Sequence, residues 1–407
     1  MTVSMKKPTL LFVIGTRPEA IKTAPVIHAC QASGDFRVQV LTTSQHRELQ
    51  DAVLDFFDIQ PDHDLNLMRE NSNLTRLVAE SWRGVSDYIE SSPPDLLLVQ
   101  GDTTTAFIAA LASIYQRIPV AHIEAGLRTY DAENPFPEEI NRRLITHIAA
   151  LHFAPTLIAK ENVLRENIDP ATIYVVGNPG IDALQFALHR ITPDQRRQIL
   201  DRHALQENLI LVTSHRRENW GDNLRNICQA LQMIAAQCQD ISILFLVHPN
   251  PEVSRCVHEE LADHSNIHLL KAVPYLEMAV LMEKAALILT DSGGIQEEAP
   301  FLGKPVLILR EKTERPEVLQ HQAAILVGTD PDRIRAAVCS LLSDSDSYRR
   351  YAIPRSIFGD GQSAARILRG IRYHFDFGPR PADFIPPSPG SSFRHPHFVP
   401  IAAEGRT

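Results

Sequence analysis

A segment in the second half of the chain has residue types suited to binding an anion. The residues Asp-Ser-Gly-Gly-Ile-Gln-Glu-Glu occupy positions 291–298 and follow an apolar run. Ser292 is a good helix N-cap, and Gly293 and Gly294 allow a ligand to approach the backbone closely. Free N–H groups at a helix start favour an anion, and Glu298, one turn later, could accept hydrogen bonds from ribose hydroxyls. An ordinary capped helix after a core strand is the alternative interpretation.

Basic residues follow other apolar runs in the same half of the chain. His215, Arg216 and Arg217 are consecutive and form a concentrated cationic site that could bind a diphosphate. His248 and Arg315 also follow predicted strands. A single histidine in such a position is more often structural than catalytic, so the interpretation depends on the group rather than on any one member.

Three acidic residues occupy comparable positions in the first half. Asp102 and Glu124 come at the ends of apolar runs, and Glu138 lies in the first turn of a predicted helix. Each has an ordinary explanation, because aspartate caps helices and the helix dipole favours acids in the first turn. Three acids in such positions are harder to explain by helix capping and helix dipoles alone.

A basic pair follows the first apolar run. Arg17 and Lys22 belong to Gly-Thr-Arg-Pro-Glu-Ala-Ile-Lys at 15–22, where Pro18 suits the first turn of a helix. Both would then lie near the end of a strand, facing a substrate phosphate or a catalytic carboxylate. For this segment alone, an ordinary surface position of both side chains is the favoured interpretation.

Short apolar runs alternate with longer amphipathic ones, which predicts strands alternating with helices and therefore parallel sheets. Ligands of such sheets bind beyond the carboxyl ends of the strands, where these polar residues fall. Two strand–helix series predict two Rossmann-like domains, 1–183 and 184–358, with a helix at 362–375 returning to the first. The candidate strands are 9–14, 38–42, 96–100, 120–124, 152–154, 173–176, 209–213, 242–247, 267–270, 286–290, 306–309 and 324–327.

Composition narrows the class of protein. The chain has 407 residues, a net charge of −9 and five cysteines without a CxxC pair. The negative net charge argues against a nucleic-acid binder, and the spacing of the cysteines gives no zinc signature. No apolar run approaches the ~18 residues of a membrane span, so we expect a cytoplasmic protein without a membrane partner. Residues 376–407 contain seven prolines and no periodicity, which predicts a disordered tail.

Together the motifs resemble those of the non-hydrolysing UDP-N-acetylglucosamine 2-epimerases. The resemblance runs from about residue 10 to about residue 370 and implies an α/β fold of two Rossmann-like domains facing a cleft, as in GT-B glycosyltransferases. It also implies a nucleotide-sugar substrate and a homodimer. The matching segments are GTRPEAIK at 15–22, QHRE at 45–48, GDTTT at 101–105, EAGLRT at 124–129, PEE-x-NR at 137–142, HRREN at 215–219, DSGGIQEEAP at 291–300 and TERPE at 313–317.

The resemblance implies roles for individual residues. The expected catalytic residues are Asp102, Glu124 and Glu138, on which the acid/base carboxylates fall, and His215, which falls on the histidine assigned to the UDP side. The expected substrate-binding residues are Arg17, Lys22, Arg216, His248, Ser292, Gly293, Gly294, Glu298 and Arg315. The sequence departs from the family pattern at Gly177-Asn178-Pro179 and around Gly359-Asp360-Gly361.

The implied chemistry suits these residue types. The C2 proton of the sugar becomes acidic when the anomeric bond to UDP breaks, and elimination followed by re-addition inverts C2. Because the proton leaves from one face of the sugar and returns to the other, the reaction requires at least two positioned acid/base groups. We expect no metal and no redox cofactor, and the sequence has no HExxH, Walker A or complete GxGxxG. A hydrolysing 2-epimerase, a GT-B glycosyltransferase and an inactive nucleotide-sugar sensor are the alternatives.

Overall fold

The computed structural model describes residues 7–43, 47–67, 74–203 and 208–387. Gln45, His46 and the tail beyond 387 lie outside these ranges. The chain forms two compact units. The first contains the described residues up to Ile199 together with Val273–Val280 and Phe358–Pro386, and the second contains Leu200–Ala272 and Leu281–Ile357.

In its described residues, the first unit contains a seven-stranded parallel sheet in the order β3-β2-β1-β4-β5-β6-β7. Helices connect the strands, as parallel pairing requires. The order reverses between β1 and β4, which makes this a doubly wound sheet with a topological switch point. Its strands are β1 (Thr9–Ile14), β2 (Arg37–Thr42), β3 (His63–Asp64), β4 (Leu96–Gln100), β5 (Val120–Ile123), β6 (Leu151–Ala154) and β7 (Ile173–Val175).

The described part of the second unit contains a six-stranded parallel sheet in the order β10-β9-β8-β11-β12-β13. Here the switch point lies between β8 and β11. Apolar side chains from β8, β9 and β11 are buried on both faces, as expected for strands covered by helices on each side. The strands are β8 (Asn208–Thr213), β9 (Ile241–Leu246), β10 (Ile267–Leu270), β11 (Leu287–Thr290), β12 (Val306–Ile308) and β13 (Ala324–Leu326).

Helices pack on both sheets. They are α1 (Arg17–Ser33), α2 (Arg47–Phe56), α3 (Leu74–Ser91), α4 (Thr104–Tyr115), α5 (Glu138–Ile148), α6 (Leu157–Arg165), α7 (Pro179–Arg190), α8 (Pro193–Arg202), α9 (Asp222–Gln237), α10 (Pro251–Leu261), α11 (Tyr275–Lys284), α12 (Gly293–Phe301), α13 (Pro316–Gln320), α14 (Pro331–Ser343), α15 (Ser345–Tyr351) and α16 (Ser363–His374).

The boundary between the two units differs from the one predicted from the sequence. We expected the first domain to end at residue 183, but that position lies inside α7, which begins at Pro179 and continues to Arg190. Asn178 caps this helix by accepting a hydrogen bond from the Gly180 N–H, and proline fits its first turn. The Asn-Pro-Gly sequence is therefore a helix start, and the first unit extends to Ile199.

The start of the predicted tail is ordered, which corrects the expectation of disorder from residue 376. Phe384 N–H donates to Val175 O at 2.7 Å, and the Val175 N–H donates to Asp383 Oδ1 at 2.9 Å. Lys160 forms an ion pair with Asp383, and Phe384 is buried. Since β7 is an edge strand with unpaired backbone groups, residues 383–384 satisfy part of that edge.

Candidate active site

Several candidate residues of the first unit follow neighbouring strands, where the carboxyl ends of those strands meet. Strands β1, β4 and β5 are adjacent, and their carboxyl ends lead to Arg17, Asp102 and Glu124 respectively. Lys22 lies on α1, little more than one turn after Arg17, and Glu138 is the first residue of α5. The fold therefore places candidate residues from distant parts of the sequence at the edge where parallel sheets bind ligands.

Asp102 is held by the helix that carries Glu138. Arg142 Nε donates to Asp102 Oδ2 at 2.7 Å, and Asn141 Nδ2 donates to the Asp102 carbonyl at 2.9 Å. The N-cap of α4 is Thr103, whose hydroxyl accepts from the Ala106 N–H at 3.0 Å. Asp102 is therefore not the helix cap that the sequence left as an alternative, and its carboxylate is oriented by an arginine.

Glu124 has a left-handed backbone, with φ of 68°. This conformation is costly for a residue with a side chain and persists where surrounding contacts enforce it. The buried carboxylate forms an ion pair with Lys22 and accepts a hydrogen bond from Asn178 Nδ2 at 2.7 Å. These contacts bring Lys22 and Glu124 together, and they add Asn178, which sequence reasoning did not identify.

Glu138 differs from the other candidate acids in its contacts. Glu138 is half-buried, and its carboxylate makes no hydrogen bond or ion pair with any residue in the described ranges. Arg17 is half-buried at the first position of α1. A carboxylate at a helix N-terminus is stabilised by the helix dipole without needing a cationic partner.

Glu19 is a buried acid that the sequence analysis overlooked, although it lies between Arg17 and Lys22. Its Oε1 accepts from the Thr103 hydroxyl at 2.8 Å, and its Oε2 accepts from the Gly15 N–H at 3.1 Å. Burial raises the pKa of Glu19 to about 7, against the opposing effect of these hydrogen bonds. Glu19 thus links the loop after β1 to the residue that follows Asp102.

Glu139 is a second buried acid without an assigned role in the sequence analysis. Its two oxygens accept hydrogen bonds from the N–H groups of Thr129 and Tyr130, at 3.0 and 3.2 Å. Arg143 lies 3.0 Å from it. Glu139 therefore holds the loop that follows Glu124, while its neighbour Glu138 is left without such bonds.

In the second unit, the candidate residues gather at the switch point between β8 and β11. The last residues of these strands, Thr213 and Thr290, are joined through their hydroxyls at 2.6 Å. The loops that follow carry His215 and Arg216 on one side and Ser292 on the other. This is the position at which doubly wound sheets bind nucleotides.

Asp291 is the centre of this group. Asp291 is fully buried and lies 2.9 Å from His215 Nδ1. Burial acts to raise the pKa of Asp291, but the hydrogen bond and charge of His215, with other donors, lower it to about 2. The other donors are Ser214 Oγ, the N–H groups of His215 and Arg216, and Asn219 Nδ2, at 2.9 to 3.1 Å.

The start of α12 partly matches the predicted anion site. Ser292 occupies the N-cap position, but its side chain makes no capping hydrogen bond. A Cβ on Gly294 would meet only Ser292 Oγ, at 4.0 Å, so the backbone there is open to a ligand. A Cβ on Gly293 would lie 2.6 Å from the guanidinium carbon of Arg315. Gly293 thus allows close packing of an arginine, whereas Glu298 is half-buried on the next turn.

Arg315 is almost completely buried. Its Nε donates to Glu297 Oε1 at 2.6 Å, and its Nη1 lies 3.5 Å from Glu314 Oε2. Glu314 also contacts Arg310, and Arg216 lies 4.0 Å away. Burial acts to raise the pKa of Glu314, but the three arginines hold it well below its usual range. Arg315 therefore supports the start of α12 through a buried ionic network.

His248 follows β9, and its Nδ1 accepts a hydrogen bond from the Asn250 N–H at 3.1 Å. Its ring lies 6.3 Å from that of Trp220. Within the described ranges, no group of three histidine, cysteine or acidic residues is arranged to hold a metal ion. No described helix combines the length and apolar character that a membrane span requires.

The chain is similar to known proteins over most of its length. Residues 28–372 match the family model described as UDP-N-acetylglucosamine 2-epimerase. A UDP-N-acetylglucosamine 2-epimerase of Salmonella typhimurium is 47% identical over 368 residues, which cover 89% of this chain and 98% of the relative. The corresponding enzyme of Escherichia coli K12 is 45% identical over 89% of this chain and 98% of its own length.

Solved structures are similar as well. The UDP-GlcNAc 2-epimerase of Neisseria meningitidis, bound to UDP-GlcNAc, has a TM-score of 0.88 and 41% identity, covering 90% of this chain and all of that one. The enzyme of Methanocaldococcus jannaschii in complex with UDP-GlcNAc and UDP has a TM-score of 0.80 and 33% identity, covering 90% and 99%. The predicted α/β class with two Rossmann-like, GT-B-type domains is confirmed, and the chain belongs to the UDP-N-acetylglucosamine 2-epimerase family.

Proposed function

We propose that the chain is a non-hydrolysing epimerase that interconverts UDP-GlcNAc and UDP-ManNAc by eliminating UDP and adding it back. The observation that carries this proposal is the pair of carboxylates at the ends of adjacent strands, each fixed by a cation. Asp102 is held by Arg142, and Glu124 is held by Lys22. Positioned carboxylates of this kind are suited to proton transfer at carbon, because their geometry is fixed before the substrate binds.

The reaction divides into two balanced steps. In the first, the bond between C1 and the UDP oxygen breaks, a carboxylate takes the C2 proton, and a glycal and UDP result. In the second, a protonated group returns a proton to the other face of C2 while the UDP oxygen bonds again to C1. Asp102, Glu124 and Glu138 are the groups to which we assign these transfers. Glu138 is available because no described residue engages its carboxylate.

We assign UDP binding to the second unit. The open backbone at Gly294 and the N-terminal N–H groups of α12 suit a diphosphate. The positive charge of Arg216 attracts the diphosphate, and His215 presents a ring nitrogen to it. Glu298 is assigned to the ribose hydroxyls. Groups that bind UDP after C1–O cleavage stabilise the leaving anion, and they retain it for the second step.

A product analysis tests this function. UDP-GlcNAc is incubated with the protein and the products are followed by ¹H NMR. We expect UDP-ManNAc to appear and to approach equilibrium from either direction. Accumulation of free ManNAc and UDP would instead identify a hydrolysing enzyme. Transfer to an added acceptor would identify a glycosyltransferase, and an unchanged substrate that nevertheless binds would identify a sensor.

We also propose that the protein is a homodimer formed through an exposed apolar face of the first unit. Helices α3, α4 and α5 pack side by side. Isolated exposed apolar residues are common, but a group of five on three neighbouring helices indicates an interaction surface. The group consists of Leu74, Ile114, Tyr115, Ile140 and Leu144, of which Tyr115 is 72% exposed.

Light scattering tests the homodimer. Wild type should have twice the mass of one chain, and Tyr115→Asp with Leu144→Lys should shift it toward the monomer, because charges disfavour burial of this face. Tyr373→Asp is the matched control, since Tyr373 is 41% exposed on α16, and it should remain dimeric. A monomeric wild type would contradict the assignment.

A further inference from the structure

The imidazole of His215 has one ring nitrogen engaged and one available. Nδ1 lies 2.9 Å from Asp291 Oδ1, and the side chain is 43% exposed. No described residue forms a hydrogen bond with Nε2. A carboxylate accepts hydrogen bonds and does not donate them when ionised. Because Asp291 is ionised near neutral pH, Nδ1 must carry a proton to make this contact favourable.

We infer that Asp291 is a positioning residue that holds His215 with its proton on Nδ1, so that Nε2 is the atom that meets the ligand. This inference deepens the proposed function, on which its catalytic consequence rests. The same carboxylate accepts from the backbone N–H groups of His215 and Arg216. It therefore fixes the loop and the ring together, and the imidazole has one orientation and one tautomer.

The consequence concerns the leaving diphosphate. In the neutral ring Nε2 carries a lone pair, and in the charged ring it carries a proton that it can donate to a phosphate oxygen. As the C1–O bond breaks, negative charge develops on UDP, and a donor aimed at that oxygen stabilises it. With its first proton on Nδ1, the ring can take up and give back a second proton only at Nε2, the atom that faces the diphosphate. The other tautomer would turn the Nδ1 lone pair toward Asp291 and leave Nε2 unable to accept a proton, and histidine–aspartate pairs that lose the correct tautomer lose much of their turnover.

Asparagine at position 291 separates this role from simple loop support. In Asp291→Asn, the side-chain amide can donate to Nδ1, which favours a proton on Nε2 instead. Ser214→Ala is the matched control. Ser214 Oγ donates to Asp291 Oδ2 at 3.1 Å, so its loss removes one support of the same carboxylate without touching the imidazole.

The experiment is long-range ¹H–¹⁵N NMR on protein labelled at histidine, with the His215 signals assigned by their loss in His215→Gln. We expect a proton on Nδ1 in wild type and Ser214→Ala, and an Nε2–H tautomer or a mixture in Asp291→Asn. Addition of UDP should shift Nε2 more than Nδ1. In epimerisation assays, kcat of Asp291→Asn should fall by on the order of tenfold or more, with a smaller change in KM.

The NMR readout does not depend on the reaction, so failure of the proposed function and failure of this inference are distinguishable. A wild-type ring with a proton on Nε2 and none on Nδ1 would overturn the inference even if Asp291→Asn does not fold. A UDP titration that leaves Nε2 unshifted, or Asp291→Asn that keeps both the Nδ1–H tautomer and the wild-type kcat, would also overturn it.

Discussion

Arg142 Nε lies 2.7 Å from Asp102 Oδ2, although the two residues are 40 positions apart in the sequence. Arg142 stands one turn after Glu138 on α5. The helix that begins with one candidate acid therefore fixes the orientation of another. This contact joins the loop after β4 to α5, so that the two acids are positioned by one rigid element.

We expect Arg142→Gln to lose turnover because Asp102 loses this charged hydrogen bond. Hydrogen bonds to charged groups contribute roughly 1.5–3 kcal/mol, which corresponds to a decrease in kcat of about tenfold to a hundredfold. Arg143→Gln is the matched control, since Arg143 is more exposed and pairs with Glu139 rather than with Asp102. Equal losses in the two variants, measured by steady-state kinetics, would show that general stability and not Asp102 is affected.

Substitution of the three candidate acids tests their proposed catalytic role directly. Asp102→Asn, Glu124→Gln and Glu138→Gln should each lower kcat by on the order of 10²-fold or more. The affinity for UDP should change little, because UDP binding is assigned to groups of the second unit. Turnover and UDP affinity are measured on the same preparations, and a variant with near-normal kcat would remove its residue from the mechanism.

The strands were predictable because buried parallel strands are nearly continuous apolar runs. Each of the twelve predicted strands agrees with an observed strand to within one residue at either end. Strand β3 was not predicted, since its two residues, His63 and Asp64, carry no apolar signal. The contact of Phe384 with the edge strand was not predictable either, because two residues give no periodicity.

In the candidate site, the positions of the residues along the fold were more predictable than their hydrogen-bond partners. The sequence indicated that Asp102 and Glu124 would stand at strand ends, and the structure places them there. It gave no sign that Asn178 would bond to Glu124 across 54 positions, or that Asp291 would hold His215 across 76. Such contacts depend on the strand order, which local patterns do not encode.

Glu19 should make stability depend on pH. Its pKa is raised from 4.5 to about 7 in the folded protein, so the folded state binds this proton more tightly than the unfolded chain. The resulting contribution to stability is present at low pH and is lost as pH rises from 4.5 through 7. Glu19→Gln stays neutral and should lack this loss, which amounts to roughly 3 kcal/mol.

Urea unfolding at about pH 4 and about pH 8 measures the difference. The free energy of unfolding should fall less between these two pH values in Glu19→Gln than in wild type. Exposed Glu161 provides the control, since Glu161→Gln should retain the wild-type difference. The same pH dependence in wild type and Glu19→Gln would contradict the assignment.

Truncations should separate the ordered part of the C-terminal segment from the rest. Deletion of 376–407 removes Phe384 and Asp383 from the edge of β7 and should lower the melting temperature by at least about 3 °C. Deletion of 388–407 retains those contacts and should leave the melting temperature and kcat unchanged. Identical melting temperatures for the two truncations, measured by calorimetry, would argue that the Val175 contacts contribute nothing.

Epimerisation in heavy water tests the elimination mechanism most directly. The C2 proton must leave to a carboxyl group that exchanges with solvent and return from another, so the product should carry deuterium at C2. Because the C1–O bond breaks in the same mechanism, ¹⁸O placed in that bridge should scramble into the diphosphate. NMR and mass spectrometry of the isolated UDP-ManNAc measure both labels. Deuterium at C2 with a scrambled bridge is the predicted result, and product without solvent deuterium and with an intact bridging label would contradict the account.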